Sequence, residues 1–592
     1  MTSRTSKYRV SQREARAFTR KRAVAACRVC RSRKIKCDNA RPTCSSCQLS
    51  ESHCVYQDHV DFSKFDPATI AILDRLTEIQ QSLNSINPEG VTAALPSKGP
   101  LKQYMADLSP QMPQNVSLKI PAARICPDAI LSWPIFKEVR LQTTLNSLTL
   151  ADHDHVLEEV ASTDVDLALI PYLIDRFLQF VHVKNPVVNT VVLRQSAVRV
   201  EVGESSRNAH SCLVFLACAL GCLAGPLRYD DRSVERDDHA ESLRATGEQF
   251  YQKALERLSL PGDRILTTQC WFLSGVYQMY KLNAARAWMD FSRASAILSL
   301  HLQHREAAVG NDSNGRHLDP AELSLYWTCW NDLRAELNIP DSILCEFNVS
   351  DGYPIPSSAS ATDSEAVLSG TPTDSEDLSH LWKLSTYYYL SDVALMRVEA
   401  QILNFMYSTN DSQWSPANLS YMCRTAADLE SQIDHWSRNR PSIIHFEEWD
   451  SAPRFELTYN LQARVLQLRS WLYRPFVYYA IHHDGEQINE NEEAKKFMRK
   501  AIECSFHMIN SKATQHRHHG TWFVARGVLS SALLIIAAVK ADKGLVDYLA
   551  DWPDLLDQAI RSLTHWASEA RDLAYAAVVL ANLKGKLCTQ AD

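Results

Sequence analysis

Residues 27–54 read CRVCRSRKIKCDNARPTCSSCQLSESHC, and their cysteines decide how the chain is read. Cys27, Cys30, Cys37, Cys44, Cys47 and Cys54 repeat the spacing C-x2-C-x6-C twice around a short loop. Thiolates are the soft ligands that zinc prefers, and a structural zinc takes four of them in a closed tetrahedron. Two separate tetrahedra would need eight sulfurs. Six suffice when two sulfurs bridge both metals, so two zincs in one six-cysteine cage is the economical reading. The competing reading is three disulfides in a small secreted module. Residues 1–26 are polar and basic with no apolar core, so no secretory leader is expected there.

The residues between the cysteines carry a resemblance. Ala26-Cys27, the run Arg31-Ser32-Arg33-Lys34-Ile35-Lys36, Cys37-Asp38 and the loop residue Pro42 resemble the fungal Zn(2)-Cys(6) binuclear zinc cluster family of transcription factors. The resemblance implies that all six cysteines are zinc ligands, two ions per chain, with Cys27 and Cys44 as the bridging pair. It also implies that Arg33 and Lys34 read bases in a CGG-type triplet, leaving Arg28, Arg31 and Lys36 for phosphate contacts. The chemistry agrees with that division. Two zincs and six thiolates sum to a formal charge of −2, so attraction to DNA has to come from the surrounding basic side chains. Arg and Lys recognise guanine O6 and N7 in the major groove, while further cations hold the phosphates. The segment from Cys30 to Cys37 is expected to be a helical turn or two, fixed at both ends by metal.

Charge divides the chain in the same place. Residues 1–41 hold 14 Lys or Arg against Glu14 and Asp38, a net of +12, which leaves −19 for the remainder of a chain whose total is −7. A basic head on an acidic body is the footprint of a polyanion-binding module joined to something else. Arg20-Lys21-Arg22 and the Arg31–Lys36 run suit nuclear import, so residues 1–26 are read as a basic disordered arm and the chain as nuclear.

Beyond the cluster, 55–68 is a linker without period. Ile72, Leu76, Ile79, Leu83 and Ile86 then step by four, three, four and three, an a/d seam expected to pair two copies through a short coiled coil over 69–86. The alternative is one amphipathic helix lying on the body, since 18 residues make a marginal isolated helix. Residues 87–128, with seven prolines, read as a disordered tether.

From 129 to 588 the apolar residues recur at three and four, as in 167–181, 212–223, 271–280, 287–300, 323–337, 457–473 and 529–539, so the body is expected to be all-helical. The fold class is therefore mainly α, with polar loops near 306–320 and 350–379. The most apolar stretch, 528–539, is read as a buried helix. The ten cysteines outside the cluster are scattered among apolar neighbours, as expected of small buried hydrophobes in a reducing compartment. ILSWPIF (130–136), LSGVYQMY (273–280), YWTCW (326–330), WLYRP (471–475) and RHHGTW (517–522) resemble the fungal-specific regulatory domain that accompanies such clusters. That resemblance implies control of activity, with a small-molecule effector as one possible input.

Other features attract attention and carry less. His516, His518 and His519, with His482 and His483, have no cysteine or acid at ligand spacing beside them, so structural roles are favoured. Arg474, and Arg334 with Glu336, could line a pocket for an acidic or sugar-like effector, but ion pairs and capping on helix faces are favoured. No nucleophile elbow, zincin, Walker or dinucleotide fingerprint is present. The reading is a DNA-binding, homodimeric RNA polymerase II regulator that works through coactivators or corepressors, with activation favoured and no enzymatic role. The alternative is a zinc-cluster cofactor or repressor recruited through protein partners.

Overall fold

A computed structural model describes residues 29–30, 33 and 43–50 of the N-terminal region. From 125 to 591 it describes all but 139–142, 151–164, 204–206, 230–237, 261, 310–319, 331–332, 338–341, 348–371, 409–413, 447–452, 454, 484–490, 512 and 542–550. The expected arm 1–26, linker 55–68, coiled coil 69–86 with Ile72, Leu76, Ile79, Leu83 and Ile86, and most of the tether lie outside the described residues. Two compact units divide between Lys64 and Phe65.

Among the described residues there is no strand. Helix α1 (Ser45–Leu49) belongs to the first unit. The second begins with α2 (Pro127–Leu131), α3 (Leu145–Leu150), α4 (Ile170–Phe177), α5 (Thr190–Glu201), α6 (Ala209–Leu223), α7 (Asp238–Leu258), α8 (Arg264–Tyr280), α9 (Ala284–Val309), α10 (Pro320–Trp330) and α11 (Arg334–Leu337). It continues with α12 (Pro372–Met406), α13 (Leu419–Arg438), α14 (Glu456–His482), α15 (Glu492–Ile509), α16 (Thr521–Ala541), α17 (Trp552–His565) and α18 (Arg571–Ala591).

Two helices that are apolar on every face organise this body. A helix without a polar face has to be covered all round. In α6 (AHSCLVFLACALGCL) all but one residue is buried, and α4, α5, α7 and α8 pack around it. Its start is fixed by a capping box in which Asn208 Oδ1 accepts from Ser211 N and Ser211 Oγ accepts from Asn208 N. At the α4–α6 crossing, a Cβ on Gly221 would stand 2.2 Å from the Leu173 carbonyl oxygen, so only glycine allows that approach. The second such helix is α16. It is long and apolar enough to cross a membrane, but its residues are mostly buried against α2, α15, α17 and α18.

Several expected boundaries move. The tether ends before 125: Ile125 and Cys126 are buried and Pro127 opens α2 in the first helical position, where its missing N–H costs nothing. Residues 306–309 complete α9 and Pro320 starts α10, so the loop expected over 306–320 is shorter. The loop expected over 350–379 ends by Pro372, because Pro372 followed by Asp374, Glu376 and Asp377 suits a helix N-terminus. The helix expected over 323–337 is two helices, α10 and α11. Just past the end of α8, Leu282 takes φ 57°, a left-handed position a leucine rarely adopts, with its side chain buried.

Helix α14 contains Pro475 in its interior. A proline there supplies no N–H to the carbonyl four residues back, at Trp471. The Tyr407 hydroxyl donates to that same oxygen at 2.6 Å, from the segment that ends α12. Tyr407→Phe is expected to cost about 1–3 kcal/mol, the penalty of a buried unsatisfied carbonyl. In a Pro475→Ala background the helix restores its own donor, so the same change should cost less; chemical denaturation of the four variants measures the difference.

At the N-terminus of α14, Glu456 is buried against Lys184, with Lys184 Nζ 2.6 Å from Glu456 Oε1 and 2.9 Å from the Tyr280 hydroxyl. Burial alone would raise the Glu456 carboxyl, but the Lys184 ammonium, with His516 and His518 nearby, holds it at about 2. Burial would lower the Lys184 ammonium, but Glu456 and Tyr280 raise it on balance. Glu456 therefore contributes stability present above its unfolded value near 4.5 and lost as pH falls toward 2. Lys184 contributes stability complete below its unfolded value near 10.5 and lost as pH rises through the raised one. Lys184→Met, which strands a buried carboxylate, is expected to cost about 3–5 kcal/mol. Lys184→Met with Glu456→Gln should recover much of that and flatten the loss of stability between pH 4.5 and 2, read from denaturation midpoints.

Candidate metal centre

The described part of the N-terminal unit is a set of three thiols on two short helical segments. Val29 and Cys30 are helical, and the Arg33 amide closes the turn by donating to Val29 O at 3.0 Å. Cys44 is extended, at φ −72° and ψ 152°, and stands as the N-cap of α1. Its sulfur accepts from Cys47 N at 3.4 Å, while its carbonyl accepts from the amides of Cys47 and Gln48. Ser, Thr, Asn and Asp usually occupy this position. A thiolate fills the same acceptor role, and the C-x2-C spacing places the next sulfur on the first turn of the helix.

Cys30, Cys44 and Cys47 are fully buried, and their three sulfurs lie within 4.8 Å of one another. Cys30 Sγ and Cys44 Sγ are 3.6 Å apart. A disulfide would require about 2.05 Å. Two thiolates on one tetrahedral zinc with bonds of about 2.3 Å are separated by about 3.8 Å, the edge of the tetrahedron. The donors are soft, buried and spaced as ligands, and an amide hydrogen bond supports one of them, as metal-bound thiolates commonly receive. They fit zinc.

Arg33, one turn beyond Cys30, is exposed, so its side chain is presented outward from a turn that starts at a buried ligand. Cys27, Cys37, Cys54, Arg28, Arg31, Lys34 and Lys36 lie outside the described residues. The capping role of Cys44 was not read from the sequence. Its signal was present in Cys44-Ser45-Ser46-Cys47, where a side-chain acceptor precedes two small polar residues.

Among the described residues no other group of three His, Cys, Asp or Glu side chains converges as these thiols do. His516, His518 and His519 do not assemble as ligands. His516 Nδ1 accepts from Arg228 N and its Nε2 faces Glu456 at 3.7 Å, while His518 Nδ1 accepts from Gly520 N. Burial drives the His518 imidazole well below its usual range and His519 to about 3, so both are neutral near pH 7. His482 and His483 make backbone contacts with Ile135, Tyr478 and Trp414. Arg474 is buried and donates to the Ile125 carbonyl, and Glu336 receives the Arg526 guanidinium. The side chain of Arg334 lies outside the described residues.

Comparison with known proteins places these features. Residues 25–61 match the fungal Zn(2)-Cys(6) binuclear cluster domain, a two-zinc module. Residues 174–335, from α4 to the middle of α11, match the fungal specific transcription factor domain. An uncharacterized transcriptional regulatory protein of Schizosaccharomyces pombe is 22% identical over 51% of this chain and 49% of its own length. A protein of Aspergillus rugulosus named as a transcription factor, ecdB, is 21% identical over 81% of this chain and 83% of its own. The abscisic acid cluster transcription factor abl7 of Leptosphaeria maculans is 53% identical over 36 residues, 6% of each chain. The chain thus spans about half the length of the fission-yeast relative and a small part of abl7. With a two-zinc cluster domain ahead of a fungal specific transcription factor domain, and relatives named as transcription regulators, the chain is similar in domain make-up to the fungal Zn(2)-Cys(6) transcription factors.

Proposed function

We propose that this chain is a nuclear, sequence-specific regulator of RNA polymerase II transcription that binds DNA through residues 27–54. The observation that carries the reading is the joining of a buried, ligand-spaced thiol set to an exposed arginine one turn away. All six cysteines hold the two zincs, with Cys27 and Cys44 bridging. Arg33 and Lys34 read a CGG-like triplet, and Arg28, Arg31 and Lys36 hold phosphates. Pairing through 69–86 would give a homodimer reading two triplets, whose spacing follows from the geometry of the pair. The acidic helical body would then recruit coactivators or corepressors, activation being favoured by its acidic and aromatic composition. Its domain limits are those given above, with the body starting at 125. Target genes in a metabolic or biosynthetic pathway fit the abl7 name, which is that of a cluster regulator.

Cys44→Ala is expected to release both zinc ions, because a bridging sulfur serves two tetrahedra and metal binding supplies about 10–16 kcal/mol of folding energy in such modules. Native mass spectrometry of the full chain reads the outcome. Retention of one ion would mean that Cys44 does not bridge.

Selection of duplex DNA from a random pool by the full chain should recover paired CGG-like triplets, and lose them on chelation. Arg33→Ala should relax the choice of one guanine at a cost of about 1–3 kcal/mol, whereas Arg28→Ala should weaken all sequences alike and lower the salt slope by about one. Equal losses would refute the division of roles. No enrichment would refute autonomous DNA recognition and favour recruitment by partners.

A further inference from the structure

The helical body contains an open cavity of about 580 Å³, a size that holds drug-sized molecules. Its wall comes largely from α8, α9, α12, α14, α15 and α16. Phe272, Met279, Phe291, Met396, Phe506 and Phe523 make much of it apolar. The polar part is organised along two helices. On α12, Tyr388, Asp392, Met396 and Glu399 follow at intervals of four, four and three, one face of a helix turned to the cavity. On α14, Asn460, Arg464, Gln467 and Trp471 do the same.

The charges in this wall can be matched one against another. Lys184 is paired with Glu456 at 2.6 Å. Glu336 is paired with Arg526 at 2.8 Å. Glu399 is paired with Arg464. His518 and His519, which also line the cavity, are held neutral by burial. Asp392 is left over. Its carboxylate has no hydrogen bond or ion pair among the described residues. Burial pushes its pKa up, with Arg464 only partly drawing it back. Asp392 is half-buried in this wall, and an unpartnered carboxylate that has given up part of its water is relieved by a cation delivered to it.

We propose that this cavity is a binding site for a largely apolar small molecule carrying one protonated amine, with Asp392 as the counter-ion. The aromatic and methionine side chains take the apolar body, and methionines adapt to irregular shapes. An anionic guest is disfavoured, because Lys184 and Arg464 are already engaged with carboxylates and Asp392 adds negative charge. The site owes nothing to the zinc cluster, so it stands or falls independently of the DNA-binding proposal.

The test uses the full-length chain and two fluorescent probes of nearly equal size, dansylcadaverine and its N-acetyl derivative, which lacks the charge. The expected result is saturable fluorescence enhancement, with the amine bound at least about tenfold more tightly, the scale of one desolvated charge contact. Asp392→Asn, close in shape, should bring the two probes within about twofold of each other. Val524→Trp, from a cavity-lining position on α16, should remove binding of both. Absence of saturable binding, or equal binding of the two probes by the unmodified chain, would overturn the proposal without recourse to any variant. An amine preference that survives Asp392→Asn would overturn it as well, by placing the contact elsewhere.

Discussion

Arg526 has 1% of its side chain exposed at a point where four helices meet, and a guanidinium in that position must be answered from every side. Its Nε donates to Glu336 on α11, Nη1 to Asp572 on α18 and Nη2 to Asn146 on α3. Trp522, one turn earlier on α16, donates to the same Asp572. Asn146 in turn donates to the carbonyl of Leu337, and its own amide is received by Asp128 from α2. One charge thus ties elements from both ends of the helical body to one of its two most apolar helices. Pieces nearly 450 residues apart in sequence share one network, and the rest of the packing has to accommodate it.

The same rule, that a buried charge takes a partner, recurs at Lys184–Glu456 and at Arg464–Glu399, and both sites sit on the cavity or next to it. Such pairs contribute less to stability than their geometry suggests, since most of the Coulomb gain is spent on desolvation. Their effect is to fix which helix faces which. A carboxylate on α12 and an arginine on α14 can satisfy each other in only one register. Asp392 differs from these pairs in having no ion pair or hydrogen bond among the described residues.

Much of this architecture was legible in the sequence. The cysteine spacing identified the metal, and the three-and-four recurrence of apolar residues identified an all-helical body, because both depend on local periods. The stretch 528–539 was read as a buried helix because it is the most apolar in the chain and short, although the helix extends over Thr521–Ala541 and takes in polar residues whose partners are remote. Helix ends were less legible. Acid-rich sequence after Pro372 looked like loop and is the start of α12, since the same residues that favour solvent also favour a helix N-terminus. The cavity was not legible at all. Arg474 and Glu336 attracted attention as candidate effector residues, but Arg474 holds Ile125 and Glu336 is neutralised by Arg526. The surplus charge is Asp392, whose spacing to Tyr388 and Glu399 is that of any amphipathic helix. Which acids find partners is decided by long-range packing, and no local pattern reports it.

The coverage of α16 has a bearing on how the chain is made. Its sequence has the length and apolarity of a membrane span, and what hides it comes from both directions: α2 and α15 before it, α17 and α18 after it. A nascent chain therefore carries this segment only partly covered until residues 552–591 have left the ribosome. Until then it presents to chaperones, and to the machinery that sorts membrane proteins, a signal that the finished fold conceals. A chain stopped short of α17 would leave the face that α17 and α18 cover open to water.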